Sequence, residues 1–169
     1  MGRISTKENK TVYQEMREKL GLSRERAAEL AGLEPYKIER IENEKISPEP
    51  WDVAALAAAY GAPHMCNYFC ANECPIGKQH VAEIKDRDLS QVILEMLASL
   101  NSIKHRQERL IEITVDGEVE NDELEDFIEI QKELERISSS VEALRLWAKK
   151  KIAEGQIDGK QYRELSKKK

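Results

Sequence analysis

The second half of the sequence contains two long stretches in which mainly apolar residues recur at alternating intervals of three and four. The first comprises Leu89, Ile93, Met96, Leu100, Ile103, Gln107 and Leu110, and the second comprises Phe127, Ile130, Leu134, Ile137, Val141, Leu144 and Ala148. This spacing is typical of coiled-coil seams. Because a turn signal lies between them at residues 115–118, the pattern predicts two long helices that fold back on each other as an antiparallel hairpin.

Composition supports an all-α fold. Aromatic residues make up only 5% of the chain and glycine only 8 of 169 residues, which argues against a sandwich or barrel of many short strands. Charged residues make up 35%, which suits helices that are exposed to solvent.

Helix signals come at short intervals in the N-terminal part. Gly21 ends a first helix, Ser23 offers an N-cap for a second, and Pro35 suits the first position of a third. Ser47 and Pro48 open a fourth. Four helices within about 50 residues predict a compact bundle.

Residues 10–61 contain turn glycines, core aliphatic residues and an Ile-Glu-Asn turn at regular positions. These residues are Leu20-Gly21-Leu22-Ser23, Ala27, Ala31-Gly32-Leu33, Ile38, Arg40-Ile41-Glu42-Asn43, Lys45, Pro48, Leu56-Ala57 and Tyr60-Gly61. In this register the segment resembles the helix-turn-helix of phage repressor and Cro-type regulators, the XRE family. The resemblance implies a repressor-like, DNA-binding domain of four to five helices at residues 8–62, followed by the helical hairpin.

The resemblance also implies which residues contact double-stranded DNA. The helix beginning near residue 34 would enter the major groove, with base contacts from Glu34, Pro35, Tyr36 and Arg40 and with Lys37 on the same exposed surface. Arg40 could offer two donors to the O6 and N7 atoms of guanine. Positions that hold the sugar-phosphate backbone are occupied by Arg24, Asn43, Lys45 and Ser47.

The sequence departs from the family pattern in its charge. Glu44 stands where the family usually has glycine after Asn43, and Glu34 and Glu39 place negative charge on the DNA-contacting helix. Residues 1–62 carry 10 basic and 11 acidic groups, a net charge of -1, so counterion release adds little. We therefore expect low affinity per monomer and a homodimer, paired through residues 86–154, that raises it.

Three cysteines lie in the segment at residues 63–85, which we interpret as a linker. On a continuous helix Cys66, Cys70 and Cys74 would share one face, and His64 or His80 could complete a structural zinc site or, less closely, an iron-sulfur site. The alternatives are buried apolar packing and redox sensing. Beyond the hairpin, residues 155–169 form a basic tail.

These features predict a sequence-specific DNA-binding transcriptional regulator. The alternatives are an interaction adaptor that keeps the helix-turn-helix fold without binding DNA, and a metal- or redox-responsive regulator. The sequence contains no phosphate loop and no Ser-His-Asp order of the kind that would indicate an enzyme. With no long apolar stretch and an odd number of cysteines, we expect a cytoplasmic protein that does not enter membranes.

Overall fold

The computed structural model describes residues 10–85, 87–115 and 117–168, and every regular element in these ranges is an α-helix. The chain divides into two compact units. Among the described residues, the first unit combines residues 10–83 with residues 148–168, and the second lies within residues 84–147.

The first unit begins with six helices: α1 (Val12–Lys19), α2 (Arg24–Ala31), α3 (Pro35–Glu42), α4 (Pro50–Ala59), α5 (His64–Asn72) and α6 (Gly77–His80). The predicted starts of the second and third helices are confirmed, since Ser23 caps α2 and Pro35 is the first residue of α3. The fourth helix begins at Pro50, slightly later than predicted. There the Asp52 carboxylate accepts a hydrogen bond from the Glu49 backbone N–H.

The core of this unit is formed by α1 to α5. Ile38 and Ile41 of α3, Leu56 of α4 and Met65 of α5 are almost completely buried. The prediction of a linker at residues 63–85 is therefore wrong. This segment contains α5 and α6, and its residues Met65 and Phe69 are part of the core. Their spacing of four places both side chains on one face of α5.

The second unit contains α7 (Leu89–His105), α8 (Gln107–Ile113) and most of α9 (Leu124–Ala153). Two ion pairs join the region of α8 to the start of α9, Arg106 to Glu129 and Arg109 to Asp126. From the first pair to the second, the arginine lies three residues later in the chain and its acidic partner three residues earlier. The two segments therefore run antiparallel. This observation agrees with the predicted hairpin.

The coiled-coil prediction is not confirmed. The first predicted helix is interrupted at Arg106, and the buried positions of α7 are Val92 and Ser99. Leu89 and Leu100 of the predicted seam are 37% and 46% exposed. The buried face of α7 is thus rotated away from the predicted seam, because seven-residue spacing alone does not decide which side of an apolar helix meets its neighbour.

The last part of the chain returns to the first unit. It comprises the end of α9 and α10 (Gly159–Lys167), which begins after the N-cap Asp158. The predicted basic tail thus contains a helix. Across the described ranges, none of the helices is both long enough and apolar enough to span a lipid bilayer.

Candidate nucleic-acid interface

The third helix has one face in the core and one face toward solvent. Ile38, Ile41 and Glu42 are buried, whereas Tyr36 is 66% exposed. Glu34 is the N-cap residue but makes no side-chain capping hydrogen bond, so its exposed carboxylate does not hold the end of the helix. Pro35 follows at the first position, where its missing N–H costs no helical hydrogen bond.

A buried ion cluster fixes α3 against the two preceding helices. The Glu42 carboxylate, which has no exposed side-chain surface, accepts hydrogen bonds from Arg17 Nε at 2.5 Å and Nη2 at 2.9 Å. It also accepts one from Arg24 Nε at 2.8 Å. The Arg24 guanidinium, which the resemblance assigns to the DNA backbone, is therefore bound to Glu42.

A second ion pair fixes α3 against α4. Lys37 Nζ lies 2.7 Å from Asp52 Oδ1 and 3.8 Å from Glu49 Oε2. The hydrogen bond to Asp52 raises the pKa of the Lys37 ammonium above its ordinary value. Lys37 was predicted on the exposed DNA-facing surface, but its ammonium group is instead directed to the buried Asp52 carboxylate.

Tyr36 and Arg40 form an aromatic-cation pair on the outer face of α3. The Arg40 guanidinium carbon lies 5.7 Å from the centre of the Tyr36 ring. These residues are one helical turn apart, so they share a face. Within the part of the chain that the structure describes, no carboxylate forms an ion pair with Arg40.

The turn after α3 keeps a left-handed residue at the position where the resemblance implies glycine. Asn43 is the C-cap residue, and its side-chain amide donates to the Glu39 carbonyl at 2.9 Å. Glu44 then adopts a φ of 56°, in the left-handed region that favours glycine. Lys45 and Ser47 are exposed. Four residues were predicted to contact the sugar-phosphate backbone of DNA. Of these four, only Lys45 and Ser47 have side chains with no described protein partner.

The cysteine segment does not assemble the predicted metal site. Because α5 ends at Asn72, Cys74 leaves the helical face that carries Cys66 and Cys70, and its sulfur accepts a hydrogen bond from the Gly77 N–H at 3.4 Å. All three thiols pack, partly buried, against the core. His64 begins α5, and no described group of three or more His, Cys, Asp or Glu side chains is arranged to hold a metal ion.

The surroundings of Cys66 do not favour its thiolate form. Burial, followed by the influence of Cys70, raises the pKa of the Cys66 thiol. A protonated thiol is a weak nucleophile, so Cys66 lacks the low pKa of a redox-sensing cysteine.

Nearby polar contacts tie α5 to α1. The Tyr13 hydroxyl donates to the Glu73 carboxylate at 3.0 Å, and the rings of Tyr13 and Tyr68 meet edge to face at 6.5 Å. Burial raises the pKa of Glu73. These contacts explain how the segment that follows the four-helix bundle becomes part of the same unit.

Sequence reasoning did not identify Arg17 and Asp52 as positioning residues for α3. Both are nearly buried charged side chains whose partners are far away in sequence or on another helix. The sequence offers only a weak signal for such roles, since a charged residue on a short helix is usually solvated.

Comparison with known families agrees with this architecture. Residues 14–64 match the family described as "Helix-turn-helix domain". The N-terminal bundle is therefore a helix-turn-helix domain, with α2 and α3 as its two central helices. No curated protein and no solved structure matches the chain significantly.

Proposed function

We propose that this protein is a transcriptional regulator of the XRE and Cro type that binds double-stranded DNA sequence-specifically through α3. The observation that carries the proposal is the placement of α3 within a helix-turn-helix domain: Glu42 and Lys37 hold its inner side, while Tyr36 and Arg40 project outward. A rigidly held helix with exposed donors and an aromatic ring suits contact with base edges. The proposal requires no catalytic step, and it assigns the protein to the cytoplasm, where it would meet DNA.

Several positive charges in the described part of this domain are already bound to carboxylates. Arg24 and Lys37 are bound to carboxylates, and Arg26 pairs with Glu29 at 2.5 Å. Because each neutralised phosphate contributes to affinity by releasing counterions, we expect weak binding by one domain alone. Two linked domains would bind more tightly, since the second contact occurs at a high effective concentration.

We propose that the second unit pairs two copies of the chain. On α7, four large apolar side chains are substantially exposed: Leu89, Leu94, Leu97 and Leu100, at 37%, 67%, 56% and 46%. At about 100° per residue they span about 140° of the helix circumference, next to the side that Val92 and Ser99 bury. An apolar sector of this width suits the self-complementary interface of a homodimer.

DNA binding is tested with the full chain and a pool of genomic duplex fragments at several salt concentrations. A regulator selects particular fragments, and its affinity falls as salt rises, with a logarithmic slope of about -0.9 for each phosphate contacted. Arg40→Ala should change which bases are preferred, whereas Lys45→Ala should weaken binding to all sequences alike. Identical effects of the two substitutions would contradict these assignments.

Pairing is tested by sedimentation of the full chain carrying Leu97→Glu. The expected result is a monomer whose DNA affinity is about 100-fold lower, because the linkage between two domains is lost. Leu165→Glu is the matched control, since Leu165 is 58% exposed but lies on α10, outside the helix-turn-helix domain and outside α7. A dimer that survives Leu97→Glu would refute the α7 interface. Point substitutions are preferable to truncation because residues from 148 onward belong to the first unit.

A second candidate function is an interaction adaptor that does not bind DNA. Glu34 and Glu44 are exposed near the outer face of α3, and the Trp51 ring at the start of α4 is 82% exposed. Exposed tryptophan often anchors protein partners. The salt series separates the candidates, because an adaptor selects no fragments and shows no salt-dependent DNA binding.

A further inference from the structure

We infer that Tyr36 and Arg40 act as one base-recognition unit, which selects a guanine together with a thymine about two base pairs away. The inference rests on the proposed DNA binding. It adds the chemistry of the DNA site and the coupling between the two side chains.

Among the described residues, none accepts a hydrogen bond from the Arg40 guanidinium. The Arg40 guanidinium carbon lies 5.7 Å from the centre of the Tyr36 ring, which is within the range of a cation-aromatic contact. The N–H donors of a guanidinium point outward in its plane, along its edge. The ring can therefore restrict the orientation of Arg40 while two donors remain available for the O6 and N7 acceptors of guanine.

The neighbouring cations have other partners, which makes Arg40 the strongest candidate for this contact. Arg24 binds the buried Glu42 carboxylate at 2.8 Å, and Lys37 binds the buried Asp52 carboxylate at 2.7 Å. Moving either cation to DNA would leave a carboxylate with one fewer partner in a buried place, which is costly. Arg40 faces no such penalty, because its described partner is the exposed ring of Tyr36.

Tyr36 supplies the second contact. The residue is 66% exposed, so its ring can offer an apolar edge to the groove. Among the bases, thymine alone carries a methyl group in the major groove, and apolar side chains recognise it there. Four residues of helix rise about 6 Å, close to two base-pair steps of about 3.4 Å, so we expect the thymine about two base pairs from the guanine.

The test begins with selection of bound duplexes from random DNA by the full chain. The selected site is then synthesised with 7-deazaguanine in place of guanine, which removes the N7 acceptor, and separately with deoxyuridine in place of thymine, which removes the methyl group. For wild-type protein we expect a loss of affinity of about 5- to 10-fold from the first change and about 4-fold from the second. Because these changes are made in the DNA, they cannot unfold the protein.

Protein variants then assign each effect to a side chain. Arg40→Ala should abolish the sensitivity to 7-deazaguanine, and Tyr36→Ala should abolish the sensitivity to deoxyuridine and reduce that to 7-deazaguanine. Tyr36→Phe keeps the ring and should preserve both sensitivities. Arg26→Ala is the matched control, since it removes an exposed arginine of α2 that is paired with Glu29, and it should also preserve both.

The possible failures are distinguishable. If wild-type protein selects no site and shows no salt dependence, the proposed DNA binding fails, and the inference fails with it. If it selects sites that lack guanine, or if Arg40→Ala retains the full 7-deazaguanine penalty, the inference alone is refuted. Equal 7-deazaguanine penalties in wild type and Tyr36→Ala would refute the coupling between the two residues.

Discussion

Replacement of Glu42 by glutamine should destabilise the helix-turn-helix domain severely. The substitution keeps the size of the side chain but removes the charge that binds Arg17 and Arg24. The Arg17 side chain is only 5% exposed, so its guanidinium would stay buried without a carboxylate at 2.5 Å. Breaking a buried ion pair by removing one partner costs about 3–5 kcal/mol. A small domain has only about 5 kcal/mol of stability in reserve, so the substitution should remove most of it.

Arg24→Ala provides the matched comparison. It removes one of the hydrogen bonds to Glu42 and leaves those from Arg17 in place. Because the Arg24 side chain is 35% exposed, solvent screens the interaction, and we expect a loss of only about 1 kcal/mol. The two variants should therefore differ by at least about 2 kcal/mol.

The appropriate assay is native-state hydrogen exchange on the full chain. The slowest amides of α3 report the free energy of unfolding of the first unit, independently of the helices in the second. A cost for Glu42→Gln no larger than that for Arg24→Ala would refute the argument. The triple variant Arg17→Met, Arg24→Met and Glu42→Leu replaces all the charges with apolar groups, and it should recover most of the lost stability.

Three further substitutions test local features of the first unit. Glu44→Gly should stabilise it by about 0.5–1 kcal/mol, because glycine relieves the left-handed conformation at φ 56°, whereas Glu44→Ala should not; thermal unfolding would show the difference. Gly77→Ala should cost about 1–3 kcal/mol or more in urea unfolding, since a methyl group there would overlap the backbone carbonyl of Cys70, and unchanged stability would contradict that packing. Glu73→Gln should stabilise the protein near neutral pH but not in acid. Burial raises the pKa of the Glu73 carboxyl, so the folded state holds this proton more tightly than the unfolded state does. Wild-type stability therefore falls as pH rises from the ordinary pKa of 4.5 through the raised pKa. If urea unfolding shows the same pH dependence of stability for wild type and variant across this range, the reasoning is refuted.

Much of the helix-turn-helix domain was predictable from local chemistry. Ser23 caps α2 and Pro35 begins α3 because each residue suits its position whatever surrounds it. Glu44 occupies the position where the resemblance implies glycine, and its positive φ shows that the turn keeps the left-handed conformation without glycine. Such features involve residues within a few positions of each other, so a sequence pattern can indicate them.

The partners of the charged side chains were not predictable in this way. Arg24 and Lys37 were both predicted to face DNA, and both proved to bind buried carboxylates. The partners Glu42 and Asp52 lie 18 and 15 positions away. No periodicity connects residues so far apart, and their meeting depends on the packing of three helices.

The same division applies to the apolar residues. Spacings of three and four were enough to predict that residues 89–105 and 124–153 are helical, because helix period is a local property of the backbone. Which apolar face is buried was decided by the tertiary structure: α7 buries Val92 and leaves Leu94 and Leu97 exposed. Burial depends on which neighbouring surface competes for each face, and only the assembled helices contain that information.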